Sequence, residues 1–82
     1  MLIEELCNLN GVSGDEGGVR AFLREKIEPY ADEIIVDSMG NMMALKKGRS
    51  HDKKVMLSAH MDEVGFIVSG FTEKGYLEFK TV

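Results

Sequence analysis

His60 and Asp62 stand two residues apart at the end of the run Val55-Met56-Leu57-Ser58-Ala59. Side chains two apart on a strand point to the same face, so imidazole and carboxylate can look into one site. A metal-ligating histidine binds through one ring nitrogen and needs the other hydrogen-bonded, commonly by a carboxylate that fixes the tautomer. The pair therefore has the types and the parity for a metal ligand with its orienting partner, as in a metallohydrolase. The pattern is short enough to arise by chance, and on these residues alone a structural or surface role for His60 stays open. A catalytic zinc takes about three protein ligands, and the sequence offers no obvious second one. Glu63 would point to the opposite strand face, and His51, in a Gly-Arg-Ser-His-Asp turn, reads as a surface residue.

The elements that must position the pair follow from the hydrophobic pattern. Residues 1–9 read as a short amphipathic helix with Leu2, Ile3, Leu6 and Leu9 on one side. Asn10-Gly11 stops it, glycine being the preferred residue just past a helix end. Ser13-Gly14-Asp15-Glu16 is a capping-box pattern: Ser13 would accept from a first-turn amide and Glu16 would reach back to the Ser13 amide. The second helix then runs to about Glu28, with Val19, Phe22, Leu23 and Ile27 as its apolar stripe, and Pro29 ends it. From Asp32 the period becomes that of strands. Residues 33–37 and 42–46 flank a Gly40-Asn41 turn and read as a hairpin-like pair. Residues 54–60 read as a third strand, 65–71 as a fourth and 76–80 as a fifth. The third is apolar on both faces, which suits a central strand covered by helices on both sides. Two helices cannot supply both layers, so the rest of the layers are expected in chain that is absent or in another molecule.

Composition excludes several classes. Ten basic against fourteen acidic residues leave a net charge of -4, with no basic stripe of the kind nucleic-acid binding requires. Lys46-Lys47-Gly48-Arg49 with Lys53-Lys54 is most simply a solvated turn. The glycines between Gly11 and Gly18 lack a P-loop lysine and follow a helix, not a strand, which argues against a phosphate cradle. No run reaches transmembrane length, and Glu4 and Glu5 stand where a signal peptide carries base. The lone Cys7 forms no intrachain disulfide and reads as a buried, inert thiol. A cytoplasmic protein without nucleic-acid or membrane partners is the expectation.

Three blocks in order carry a family resemblance. They are Leu6-Cys7 with Gly11-Val12-Ser13-Gly14-Asp15-Glu16, then Asp37-Ser38-Met39-Gly40-Asn41, then Lys53 through Val68 around Ala59-His60-Met61-Asp62-Glu63-Val64-Gly65. Together they resemble the start of the glutamyl and deblocking aminopeptidases, dinuclear metallopeptidases that include the cellulase M-like proteins. The resemblance implies an α/β fold: the N-terminal part of a mixed-sheet, three-layer zinc-peptidase-like domain, with two helices followed by about five strands. It implies that residues 1–65 belong to the catalytic domain and that residues 66–82 begin an inserted PDZ-like dimerisation domain. His60 would match the first metal ligand, and Asp62 the catalytic carboxylate that orients it. Two divalent ions, zinc or cobalt, would bind the substrate's amino terminus, polarise the scissile carbonyl and activate a water. The general-base glutamate, from a Glu-Glu pair, and the remaining ligands lie downstream in the family and have no counterpart here. The 82-residue chain by itself would then hold no metal and be inactive, while its parent would cleave peptides and form homo-oligomers, dimers or dodecamers. Two other readings stand beside this one. Some relatives are labelled endoglucanases, although glycosidases work with a carboxylate pair that nothing here singles out. The chain could also be a truncated, non-catalytic interaction module with open strand edges.

Overall fold

The computed structural model describes residues 1–50 and 52–82; the expectation for His51 falls outside the described residues. Two helices come first. α1 spans Leu2–Cys7 and α2 spans Gly17–Ile27. Four strands follow: β1 (Glu33–Val36), β2 (Met42–Leu45), β3 (Phe66–Phe71) and β4 (Leu77–Thr81). They form two separate antiparallel pairs, β1 with β2 and β3 with β4.

α1 closes earlier than its apolar spacing predicts. Its last carbonyls are met at Asn8 and Leu9, whose amides donate to Glu4 and Leu6. Gly11 is therefore not the helix stop. It is buried, and a Cβ there would lie 2.6 Å from Val19 Cγ2, so its role is close approach to α2. α2 buries Val19 and half-buries Phe22, Leu23 and Ile27, the stripe expected from the sequence. Its end is also as expected: Pro29 sits in a 3-10 turn, Glu28–Tyr30, directly after Ile27, where a proline's missing amide costs no helical bond.

The helix start differs from the capping box. The first helical residue is Gly17, and Glu16 precedes it without a side-chain cap. Glu16 Oε1 accepts from the Gly14 amide at 2.6 Å, not from that of Ser13. The Ser13 hydroxyl is turned away from the helix altogether, toward Asp62.

Both hairpins share one turn design. In the first, the Asp37 amide donates to Asn41 O and the Gly40 amide to Asp37 O; in the second, Thr72 and Tyr76 and then Gly75 and Thr72 repeat these bonds. Gly40 and Gly75 both carry φ +86, the left-handed residue that completes a three-residue hairpin loop. The first turn is pinned to α2, because Arg20 Nε donates to Gly40 O at 2.8 Å. In the second hairpin the Phe66 and Phe79 rings meet with centroids 4.6 Å apart, and the pairing skips a register between Val68 and Gly70.

The third strand is not formed. Residues 54–60 take no regular structure, and Val55, Met56 and Leu57 are 89%, 86% and 92% exposed. A strand needs a neighbour to exchange backbone hydrogen bonds, and β1–β2 and β3–β4 pair only within themselves. The apolar run expected to be covered on both faces meets, among the described residues, neither a partner strand nor a covering layer. Cys7, expected to be buried, is exposed for the same reason. Val19 is the one buried hydrophobic among the described residues.

Candidate metal-ligand site

The site is assembled from two segments far apart in the chain. The loop after α1 lies alongside residues 61–63: Val12 and Glu63 form a parallel bridge, and the Glu63 amide donates to Gly11 O at 2.8 Å. Gly11 permits this because the loop backbone must come close to Val19. The pairing brings Ser13 to Asp62 across 49 positions of sequence.

Asp62 is the centre of the arrangement. Its Oδ2 accepts from the Ser13 hydroxyl at 2.5 Å. Its Oδ1 lies 3.1 Å from His60 Nδ1, and its own carbonyl oxygen lies 3.0 Å from the same nitrogen. A backbone carbonyl only accepts, so Nδ1 carries the proton. In the neutral ring this leaves the Nε2 lone pair free, the form in which an imidazole ligates a metal. The His60 side chain is 85% exposed, against 39% for Asp62. The Ser13 hydroxyl holds the Asp62 carboxyl below the usual carboxylate range against desolvation, with its own backbone and the His60 ring adding smaller lowering effects.

Thus the two residues singled out in the sequence are brought into contact, without the regular strand expected to align them. The Glu63 side chain is exposed, and that residue contributes its backbone amide only. Among the described residues no group of three or more His, Cys, Asp or Glu could hold a metal ion. The donor set fits a metal as one ligand and its orienting carboxylate, and no more. Apolar walls flank the site: Leu6, Leu9, Val19, Leu23 and Met42 line a cleft of 440 Å³ with His60 and Asp62 on its border. The lysines between Lys46 and Lys54 are exposed, as a solvated turn requires.

Ser13 is the site residue that sequence reasoning missed. Its local context reads as a helix cap, and no periodicity relates positions 13 and 62. The one available signal was that Gly11-Val12-Ser13-Gly14 is among the blocks that carry the resemblance.

Comparison with known proteins decides the family. The M42 glutamyl aminopeptidase family matches residues 40–82, just over half of the chain. The chain belongs to the M42 glutamyl aminopeptidase family. Lysyl aminopeptidase of Pyrococcus furiosus is 38% identical over 77 residues, 93% of this chain and 22% of the relative. Two solved structures share its shape. A Thermotoga maritima protein described as an endoglucanase is 50% identical with a TM-score of 0.83, covering 98% of this chain and 26% of that one. A TET aminopeptidase from a marine sediment thaumarchaeon is 42% identical with a TM-score of 0.81, covering 98% and 22%. The mixed helix-and-strand fold is thus that of M42 aminopeptidases, and the chain spans about a quarter of the length of the curated relatives it matches.

Proposed function

We propose that residues 1–82 are the amino-terminal part of a two-metal aminopeptidase that removes N-terminal residues from peptides. The observation that carries this is the His60–Asp62 contact, which leaves Nε2 as a free metal donor in a chain of the M42 family. His60 would be the first metal ligand, and Asp62 would hold its Nδ1 proton. A bound pair of divalent ions, zinc or cobalt, would supply Lewis acidity and an activated water. This chain's residues contribute to that chemistry by fixing the tautomer and direction of one ligand.

Residues 66–82 are proposed to begin an inserted PDZ-like dimerisation domain. In support, among the described residues β3 and β4 pair with each other and not with the β1–β2 sheet. Homo-oligomer formation through that insert belongs to the same proposal.

The test compares the 82-residue chain with the full-length protein that contains it, on an aminoacyl chromogenic substrate with cobalt or zinc. The full-length protein is expected to turn it over and to lose activity on chelation; the 82-residue chain is expected to show none. Turnover by the short chain, or chelation-insensitive cleavage of a soluble cellulose derivative by the long one, would overturn the reading.

A further inference from the structure

We infer that Ser13 is a positioning residue of the metal-ligand site, setting the orientation of His60 through Asp62. The inference rests on the aminopeptidase reading for its purpose, but its geometry stands independently. With its side chain 39% exposed, Asp62 depends on hydrogen bonds as well as packing to fix the rotation of its carboxylate. To offer Oδ1 to the His60 ring it must be held by its other oxygen, and Ser13 Oγ is the side-chain donor on Oδ2. The hydroxyl acts on one oxygen and so directs the other.

Ser13 can do this because its own backbone is fixed. The Val12–Glu63 bridge and the bond from the Glu63 amide to Gly11 O dock the loop beside Asp62. Gly11 presses the same loop against Val19 of α2. The α1–α2 loop therefore belongs to the site, and orientation passes from Val19 through Gly11 and Ser13 to the Asp62 carboxylate and the His60 ring. Without the hydroxyl, Asp62 can turn away, and Nδ1 keeps only the backbone carbonyl as a partner. The Nδ1 proton is then held by one acceptor instead of two, so the tautomer protonated on Nε2, which lacks the lone pair a metal needs, gains population.

The experiment reads the imidazole tautomer directly by 15N NMR on the full-length protein that contains these residues, stripped of metal and at a pH where His60 is neutral. Thr and Val have the same shape and differ by one hydroxyl, so Ser13→Thr and Ser13→Val are compared with the unaltered chain. The unaltered chain and Ser13→Thr are expected to show Nε2 as the unprotonated nitrogen. Ser13→Val is expected to shift the balance toward protonated Nε2, with the Glu63 amide still protected from exchange in all three. Identical tautomers in the Thr and Val variants would overturn the inference, as would an unaltered chain with Nδ1 unprotonated. Because no activity is measured, a failure here is distinct from a failure of the aminopeptidase reading, which turnover by the full-length protein decides.

Discussion

At the scale of single residues, the chemistry rests on one nitrogen atom and what faces its neighbour. His60 Nδ1 is held by two oxygens of Asp62, and Asp62 is held by Ser13. Loss of a carboxylate that orients a ligating histidine typically costs about 10–100-fold in metal affinity. In the full-length protein Asp62→Ala is therefore expected to weaken zinc or cobalt binding by about that factor, measured by competition with a chelator. Glu63→Gln is the control, since Glu63 acts through its backbone amide and its side chain is exposed. Equal losses in both variants would show a general effect of charge near the site instead of orientation by Asp62. The His60–Asp62 contact was legible in the sequence because two near neighbours of complementary type can meet locally, although the strand expected to align them is not formed. Ser13 was not, because its partner lies 49 residues away and its local pattern fits a helix cap equally well.

At the scale of elements, the hairpins were legible and the third strand was not, for one physical reason. A hairpin carries its partner and its turn chemistry within a few residues. A central strand takes its partners from elsewhere in the chain, and residues 54–60 find none among the described residues. The two turns also allow a comparison that isolates one interaction. Gly40 and Gly75 share φ +86, but a Cβ at Gly40 would lie 2.6 Å from Arg20 Nη2, whereas nothing lies within 4 Å of one at Gly75. Each alanine substitution should cost about 1–2 kcal/mol for left-handed backbone. Gly40→Ala should cost more, by displacing Arg20 from its bond to Gly40 O. Hydrogen exchange at the Asp37 and Thr72 amides, which close the two loops, reads both effects; equal acceleration in the two hairpins would count against the Arg20 contact. The first turn should also respond to acid. Asp37 is held below the usual carboxylate value of 3.8, first by the Asn41 side-chain amide and then by the Asn41 backbone amide, against desolvation and with smaller contributions from the Met39 and Gly40 amides. A lowered folded value means that the turn's stabilisation is complete above the ordinary value and is lost as pH falls through the lowered one. The Met39 and Asn41 amide shifts should therefore titrate below pH 3.8. A midpoint at or above that value would contradict the hydrogen bonds seen here.

At the scale of the whole molecule, the chain has the dimensions of a part and not of a folded unit. Its radius of gyration is 17.7 Å, against about 12 Å for a compact domain of 82 residues. Its accessible surface is 7558 Å², against about 4,900 Å² for a compact protein of this mass. Large apolar side chains stand open: Val55, Met56, Leu57 and Val64 are each more than 85% exposed, and Phe66, Phe71 and Tyr76 are more than 60% exposed. Yet the same arrangement superposes on solved M42 structures with TM-scores above 0.8, of which it covers about a quarter. The elements thus hold the positions they have in a larger fold while the surfaces that fold would cover stand open. A surplus of roughly 2,700 Å² exceeds the about 1,600 Å² that a standard protein interface buries. Exposed large apolar side chains in this number mark a site of association. The isolated 82-residue chain is therefore expected to self-associate, its sedimenting mass rising with concentration above the 9.1 kDa of one copy. Leu57→Lys, at a residue 92% exposed and in no regular element, removes no intrachain packing and should lower that association without changing the hairpin amide protection. A chain that stays monomeric at every concentration, with a radius near the compact value, would show that these residues collapse on themselves and that the open apolar surface does not persist in solution.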